Sequence, residues 1–255
     1  MSREAELLWN ARRTGGVVDA GDVEEPATTE AAYALQDEIG RLAGLDVIGF
    51  KVGSTSAEAQ RILGTTEPGS GPIFAPFLYT STASIPIAPA HVPAVEGEFG
   101  FRLGQDLPPR DAAYDREEVA DAIEAVTGAI EVVGTRIAGG LAGKGRFLVT
   151  ADGGANIALC TGAWTSDWRS LDLKSHQVSL SINGEPRGSG RGELALGDPM
   201  NVMVWLANQQ SEFGRGLKAG DVVSTGTCTG LDSVAPGDRL VADYGSLGLV
   251  EVSFV

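Results

Sequence analysis

The sequence predicts an α+β fold, a small helical N-terminal cap on a mixed, β-rich core. Three observations predict it. Helical periodicity dominates the first quarter of the chain. Short strand-like runs bounded by Gly, Pro and Asp dominate the rest. The regular strand–helix alternation of a Rossmann or TIM fold is missing. No repeat of 20 to 50 residues is visible, which argues against a solenoid.

Residues 3–13 read as a short helix with Leu7, Leu8 and Ala11 on one face, ended by Gly15-Gly16. Residues 28–44 read as a second helix, capped by Thr28 or Thr29, with Ala32, Leu35, Ile39 and Leu42 at helical spacing. Ile48–Gly53 is a strand ending in a glycine turn. Residues 56–63 form a short helix stopped by Gly64. From Thr65 to Pro93 the chain is rich in Pro, Gly, Ser and Thr and reads as a long surface loop. Val92–Leu103 is a strand. A Pro-Pro turn, a helix around 116–125 and a strand over Thr127–Ile137 follow. Residues 138–145 are a glycine-rich connection. Short apolar runs then alternate with turns to 182, where Asn183-Gly184 signals a hairpin. Asp198-Pro199 opens a helix running to about Phe213. Strands at 221–226, 239–243 and 248–254 close the chain.

The 255 residues carry a net charge of −15. That balance excludes sequence-independent nucleic-acid binding and docking on an anionic membrane. A bound cation can still reverse the local sign for an anionic substrate. Cys160 and Cys228 form no metal-binding spacing and read as free thiols of a reducing compartment. The first residues lack the apolar stretch of a signal peptide, and no run is long enough to span a bilayer, so the cytoplasm is expected. GxGxxG and GxxxxGK[ST] are both absent.

Chemistry concentrates in VPAVEGEFGFRL. In a strand, alternate side chains share a face. Val95, Phe99, Phe101 and Leu103 then face a core. Glu96 and Glu98 share the opposite face, roughly 7 Å apart along the strand. Two carboxylates aimed at one place need a proton or a cation between them, and a hard divalent cation suits oxygen ligands. On this segment alone a wet acidic face is the simpler reading. Glu131 sits among Ile130, Val132 and Val133, where a lone carboxylate is costly to bury. Arg136 is the ordinary partner for it. The sharper alternative joins it to Glu96 and Glu98, leaving an octahedral Mg²⁺ or Mn²⁺ about three open positions. Lys51, between Phe50 and Val52 and flanked by Gly49 and Gly53, either covers a core edge or faces a substrate.

The ordered set GFKVGSTS, EGEFGF, AIEVV, ADGGAN and KAGDVVSTGTCTG…PGDRLVADYGSLGLVEVSF resembles the fumarylacetoacetate hydrolase superfamily over roughly residues 28–255. Within it the chain looks most like the branch of 2-oxo-4-pentenoate hydratases and 4-oxalocrotonate decarboxylases. The resemblance implies a β-roll-like core, with 1–75 as a helical cap and 76–255 as the catalytic unit. It implies a homo-oligomer and a short 2-oxo acid substrate. It places Mg²⁺ or Mn²⁺ on Glu96, Glu98 and Glu131, an active-site lysine at Lys51, and substrate-binding hydroxyls at Thr227 and Thr229. The implied activity is a metal-dependent lyase, hydratase-like. The alternatives are decarboxylation, hydrolysis of a carbon–carbon bond, and a non-catalytic metal-binding subunit. Two positions depart from the branch. Pro68 is followed by Gly69 where hydratases often place an acid, with Glu67 next door. ADGGAN replaces a serine-containing version.

Overall fold

A computed structural model describes residues 1–255, the side chain of Ile62 excepted. The chain opens with two helices, α1 (Arg3–Thr14) and α2 (Thr29–Ala43). Ser2 caps α1 and Thr28 caps α2, each accepting from a backbone N–H three residues on. Such a cap contributes about 1 kcal/mol. Gly15 and Gly44 end the two helices in the left-handed region. Of the expected apolar positions in α2, Ala32 is buried; Leu35, Ile39 and Leu42 are half-buried.

The elements that follow are β1 (Val47–Gly53), α3 (Ala57–Leu63), β2 (Gly69–Phe74), β3 (Leu78–Thr80), β4 (Ala83–Ile85) and β5 (Ala94–Leu103). Next come α4 (Arg116–Ala122), β6 (Ile123–Val133), α5 (Arg146–Ala151), β7 (Asn156–Thr161), β8 (Gln177–Ile182) and β9 (Glu185–Arg191). The last are α6 (Pro199–Glu212), β10 (Val222–Ser224), β11 (Asp232–Ser233), β12 (Arg239–Asp243) and β13 (Leu249–Phe254).

Two sheets form the core. The larger runs β2-β1-β10-β5-β6-β7-β3, with β11 also pairing β5. The smaller runs β4-β13-β12-β8-β9. Parallel pairs β1/β10, β3/β7 and β4/β13 sit among antiparallel ones, so both sheets are mixed. The apolar face of β5, with Val95, Phe99 and Phe101, shares one core with Val178, Leu180, Leu240, Val250 and Val252 of the smaller sheet. That burial turns Glu96 and Glu98 the other way, as the alternation requires.

The expectations need four corrections. Thr65–Pro93 is not one long loop, because it supplies β2, β3 and β4. β2 lies at the sheet edge, where Pro72 costs no ladder bond. The strand expected over Thr127–Ile137 is Ile123–Val133, since the preceding helix already ends at Ala122. The six-residue α5 was not anticipated among the apolar runs after 146. Val92 stands outside β5, with φ of 51°.

Two glycines are required by close approach. A Cβ on Gly49 would lie 1.8 Å from the Val222 carbonyl oxygen, so only glycine lets β1 pass β10 there. A Cβ on Gly128 would lie 2.3 Å from the ring of Tyr244, which reaches across from the smaller sheet.

Candidate metal centre and substrate cavity

Strand register assembles the site. Glu96 of β5 lies directly opposite Glu131 of β6. Glu98 follows two residues on, on the same face of β5. On the other side of β5, Gly100 pairs with Ser224 of β10, and Ser224 pairs with Lys51 of β1. Four neighbouring strands therefore present Lys51, Ser224, Glu96, Glu98 and Glu131 together. One carboxylate oxygen from each of the three glutamates lies within 4.8 Å of the others.

The wet-face reading of β5 is overturned. Glu98 and Glu131 are fully buried. Arg136 is not the partner of Glu131 either. Its guanidinium is bound to Asp152, with Nε 2.6 Å from Oδ1, and to the carbonyls of Gly134 and Asn156. Glu131 Oε1 instead accepts from Asn156 Nδ2 at 2.9 Å, and Lys51 Nζ stands 3.4 Å away. Glu98 Oε2 accepts from the Ser224 hydroxyl and from Gly226 N–H at 2.8 Å. The opposite oxygens, Glu98 Oε1 and Glu131 Oε2, are buried without a hydrogen-bond partner. Such atoms are rare in a folded protein and need an explanation.

The electrostatics agree. Burial, then the charge of Glu131, pushes the Glu96 carboxyl up to about 7. Burial and the two neighbouring carboxylates push Glu98 well above the usual carboxylate range. Burial pulls the Lys51 ammonium down, but Glu131, Glu96 and Glu98 outweigh it, and the net direction is upward. Three carboxylates against one ammonium leave a formal charge of −2 in a buried place. Only protons or a cation relieve that.

Lys51 and Glu96 line a cavity of about 290 Å³. Thr227 lines it too, and its hydroxyl accepts Gly230 N–H at 2.8 Å. Thr229 is placed differently. Its hydroxyl accepts Gly97 N–H at 3.0 Å and so holds the 227–230 turn against β5. Gly69 and Glu67 both border the cavity, and the exposed Glu67 lies 3.7 Å from Arg146, which lines it too. Neither histidine lines it: His91 bonds the Gly16 carbonyl and His176 the Tyr244 carbonyl.

Three supporting residues escaped the sequence reading. Asn156 was visible only as the end of ADGGAN. Ser224 opens the stretch to Gly230 that the resemblance assigns to the substrate pocket, but nothing local announces that its hydroxyl is bound to Glu98. Tyr244 donates to the Ala129 carbonyl and accepts Glu98 N–H at 3.1 Å, a link between sheets that no local signal announces.

A model of the fumarylacetoacetate (FAA) hydrolase C-terminal family matches residues 50–255. A 2-keto-4-pentenoate hydratase of Paraburkholderia xenovorans is 33% identical, covering 98% of this chain and 93% of its own. A 2-hydroxyhexa-2,4-dienoate hydratase of Comamonas testosteroni is 33% identical, covering 98% and 94%. The solved structure of 4-oxalocrotonate decarboxylase from Pseudomonas putida G7, complexed with magnesium and adipate, superposes with a TM-score of 0.89. Its identity is 28%, with 100% of this chain and 99% of that one covered.

Proposed function

The chain belongs to the fumarylacetoacetate hydrolase family, and from that premise we propose that it is a divalent-metal-dependent lyase hydrating a short 2-hydroxy-dienoic acid, the enol form of a 2-oxo acid. The observation that carries this reading is the convergence of Glu96, Glu98 and Glu131 beside Lys51, with Lys51 and Glu96 lining one cavity.

The residues present fit Mg²⁺ or Mn²⁺. All donors are hard oxygens, two of them buried and unpartnered, and the formal charge of the cluster is balanced by a divalent ion. When bound, such an ion supplies an electrophile for the carboxylate and 2-oxo group of the substrate. Lys51 presents a fixed positive charge where enolate charge develops, and it can carry a proton there. Asn156 and Ser224 fix the orientation of Glu131 and Glu98. Thr227 is assigned to substrate binding, and Thr229 to holding the turn that presents it.

Decarboxylation is the second reading. One observation favours it: Gly69 borders the cavity without an acid to move protons at the far end of a conjugated chain. Hydrolysis by a His–Glu pair lacks support, because neither histidine lines the cavity. The curated hydratases, alike over nearly the whole chain, tip the balance to hydration. The test is to incubate the Mg²⁺-loaded protein with 2-hydroxypenta-2,4-dienoate and separately with 4-oxalocrotonate, following products by NMR. Hydrated product supports the reading. Carbon dioxide release without any hydrated product overturns it in favour of the second. Silence on both substrates favours the non-catalytic subunit.

We also propose homo-oligomeric assembly, on the family resemblance; sedimentation velocity checks it. Among the described residues no helix is long and apolar enough to cross a membrane.

A further inference from the structure

The N-terminal helix reaches the framework of the metal centre through one side chain. Arg12 lies in the last turn of α1, where a basic residue ordinarily does no more than complement the helix dipole. Here its guanidinium leaves the helix and donates to two successive carbonyls, Nη1 to Asn156 at 2.5 Å and Nη2 to Ile157 at 3.0 Å. It stacks on Phe77, with Cζ 4.3 Å from the ring centroid. Its Nε is buried and has no hydrogen-bond partner among the described residues. Burial, then the charge of Arg136, pulls the guanidinium down to about 9. Holding a cation there is costly.

Docking of the helix does not account for that cost. Leu8 and Ala11 already share a buried apolar cluster with Ile137 and Leu148. The two carbonyls point to another duty. Gly153, Gly154 and Ala155 are all left-handed, with φ of 67°, 65° and 63°. Asn156 is where the chain leaves that turn for β7. The ladder to β6 is irregular at the same place. Val132 pairs with Ala158 and Val133 with Asn156, so Ile157 is an extra residue. Regular pairing alone does not fix the backbone of Asn156 and Ile157, and Arg12 bonds both their carbonyls. Arg136 shares the first, at 2.9 Å.

The side chain of Asn156 ends on the acidic cluster, with Nδ2 2.9 Å from Glu131 Oε1. Hydrogen bonds thus run from α1 through Asn156 to Glu131. We propose, on the reading that Glu131 holds the metal, that Arg12 is a positioning residue of the metal centre: it sets the backbone of Asn156, and through it the amide that orients Glu131. Removing the guanidinium frees two carbonyls at an irregular point of β7 and lets the Asn156 amide shift on Oε1. A ligand that has lost its fixed orientation binds metal less well. The N-terminal helix is then part of the metal-binding unit and not only a cover on the core.

The test is a double-mutant cycle read by calorimetric Mn²⁺ titration of metal-free protein, with folding checked by circular dichroism. Arg12→Met keeps an unbranched apolar stem against Phe77 and removes every donor. Mn²⁺ affinity should fall roughly threefold or more, and by no more than in Asn156→Ala, through which the effect passes. Arg12→Lys, which can still donate, should recover part of the loss. In the Asn156→Ala background Arg12→Met should change Mn²⁺ affinity by less than about twofold, although it still lowers the melting temperature there. Should Arg12→Met fail to fold, the same cycle is run with Arg12→Lys, whose smaller loss must likewise vanish in Asn156→Ala. Wild-type affinity in Arg12→Met, or an equal loss in both backgrounds, overturns the assignment, makes Arg12 a tie for the helix alone and leaves the metal site standing. Absence of Mn²⁺ binding to the wild type overturns the metal site, and the assignment of Arg12 with it.

Discussion

Lys51 Nζ stands 3.4 Å from Oε1 of Glu131, and both side chains are buried. An ion pair so enclosed is expensive to desolvate, and breaking one side of it leaves an uncompensated charge. Here the acid side is already in excess, with Glu96 and Glu98 alongside. Among the described residues the lysine is thus the one protein cation beside the three carboxylates, and it also lines the cavity.

Lys51→Met should separate these two duties. Without metal, the variant melts below the wild type, because the acidic cluster has lost its cation. Mn²⁺ restores much of the difference. Turnover of the metal-loaded variant falls by at least roughly tenfold, about 1.4 kcal/mol of barrier. Thermal melts with and without Mn²⁺, beside steady-state kinetics, read both. Wild-type turnover in a folded, metal-loaded variant would reduce Lys51 to a packing residue.

Asn156 should matter through Glu131. Its amide donates to Oε1, while Arg136 and Arg12 clamp its backbone carbonyl at 2.9 and 2.5 Å. Asn156→Ala removes the amide and leaves the clamp. Mn²⁺ affinity is expected to fall by roughly tenfold, the usual scale for a group that orients a ligand. Asn156→Gln, which can still donate, should recover part of it. Unchanged affinity in Asn156→Ala would show that Glu131 keeps its orientation unaided.

The two thiols should be silent in the folded protein. Burial pushes Cys160 up to about 12. Burial, with the nearby Glu98 and Glu96, also raises Cys228. A raised thiol pKa keeps the unreactive protonated form over the whole range below it, so both thiols stay protonated at pH 8. Ellman's reagent at pH 8 should find no reactive thiol in native protein and both after guanidinium unfolding. Reactivity should climb only at strongly alkaline pH. A native thiol reacting at the rate of free cysteine would contradict this burial.

Much of the fold and part of the site are legible in the sequence alone. Alternation in β5 separated Phe99 and Phe101 from Glu96 and Glu98, because a strand has only two faces. The caps at Thr28 and Asp198 and the stop at Gly64 marked helix ends, because they act within a few residues. What failed was nonlocal. Strands β3 and β4 exist by pairing with β7 and β13, far along the chain, β2 folds back on β1 across α3, and the Pro- and Gly-rich composition around all three argues for loops. The partner of Glu131 was misread for the same reason. Arg136 lies five positions away in sequence, but register brings Lys51 and Asn156 instead. Periodicity cannot reveal α5, which is under two turns long.

The most direct test of the central claim is a calorimetric titration of metal-free protein with Mn²⁺. The wild type should bind one ion per chain. Glu96→Gln and Glu131→Gln, each trading a charged ligand for a neutral amide, should weaken binding by at least about tenfold, a loss of roughly 1.4 kcal/mol or more. Undiminished affinity in both variants would contradict the assignment of Glu96, Glu98 and Glu131 as the metal site.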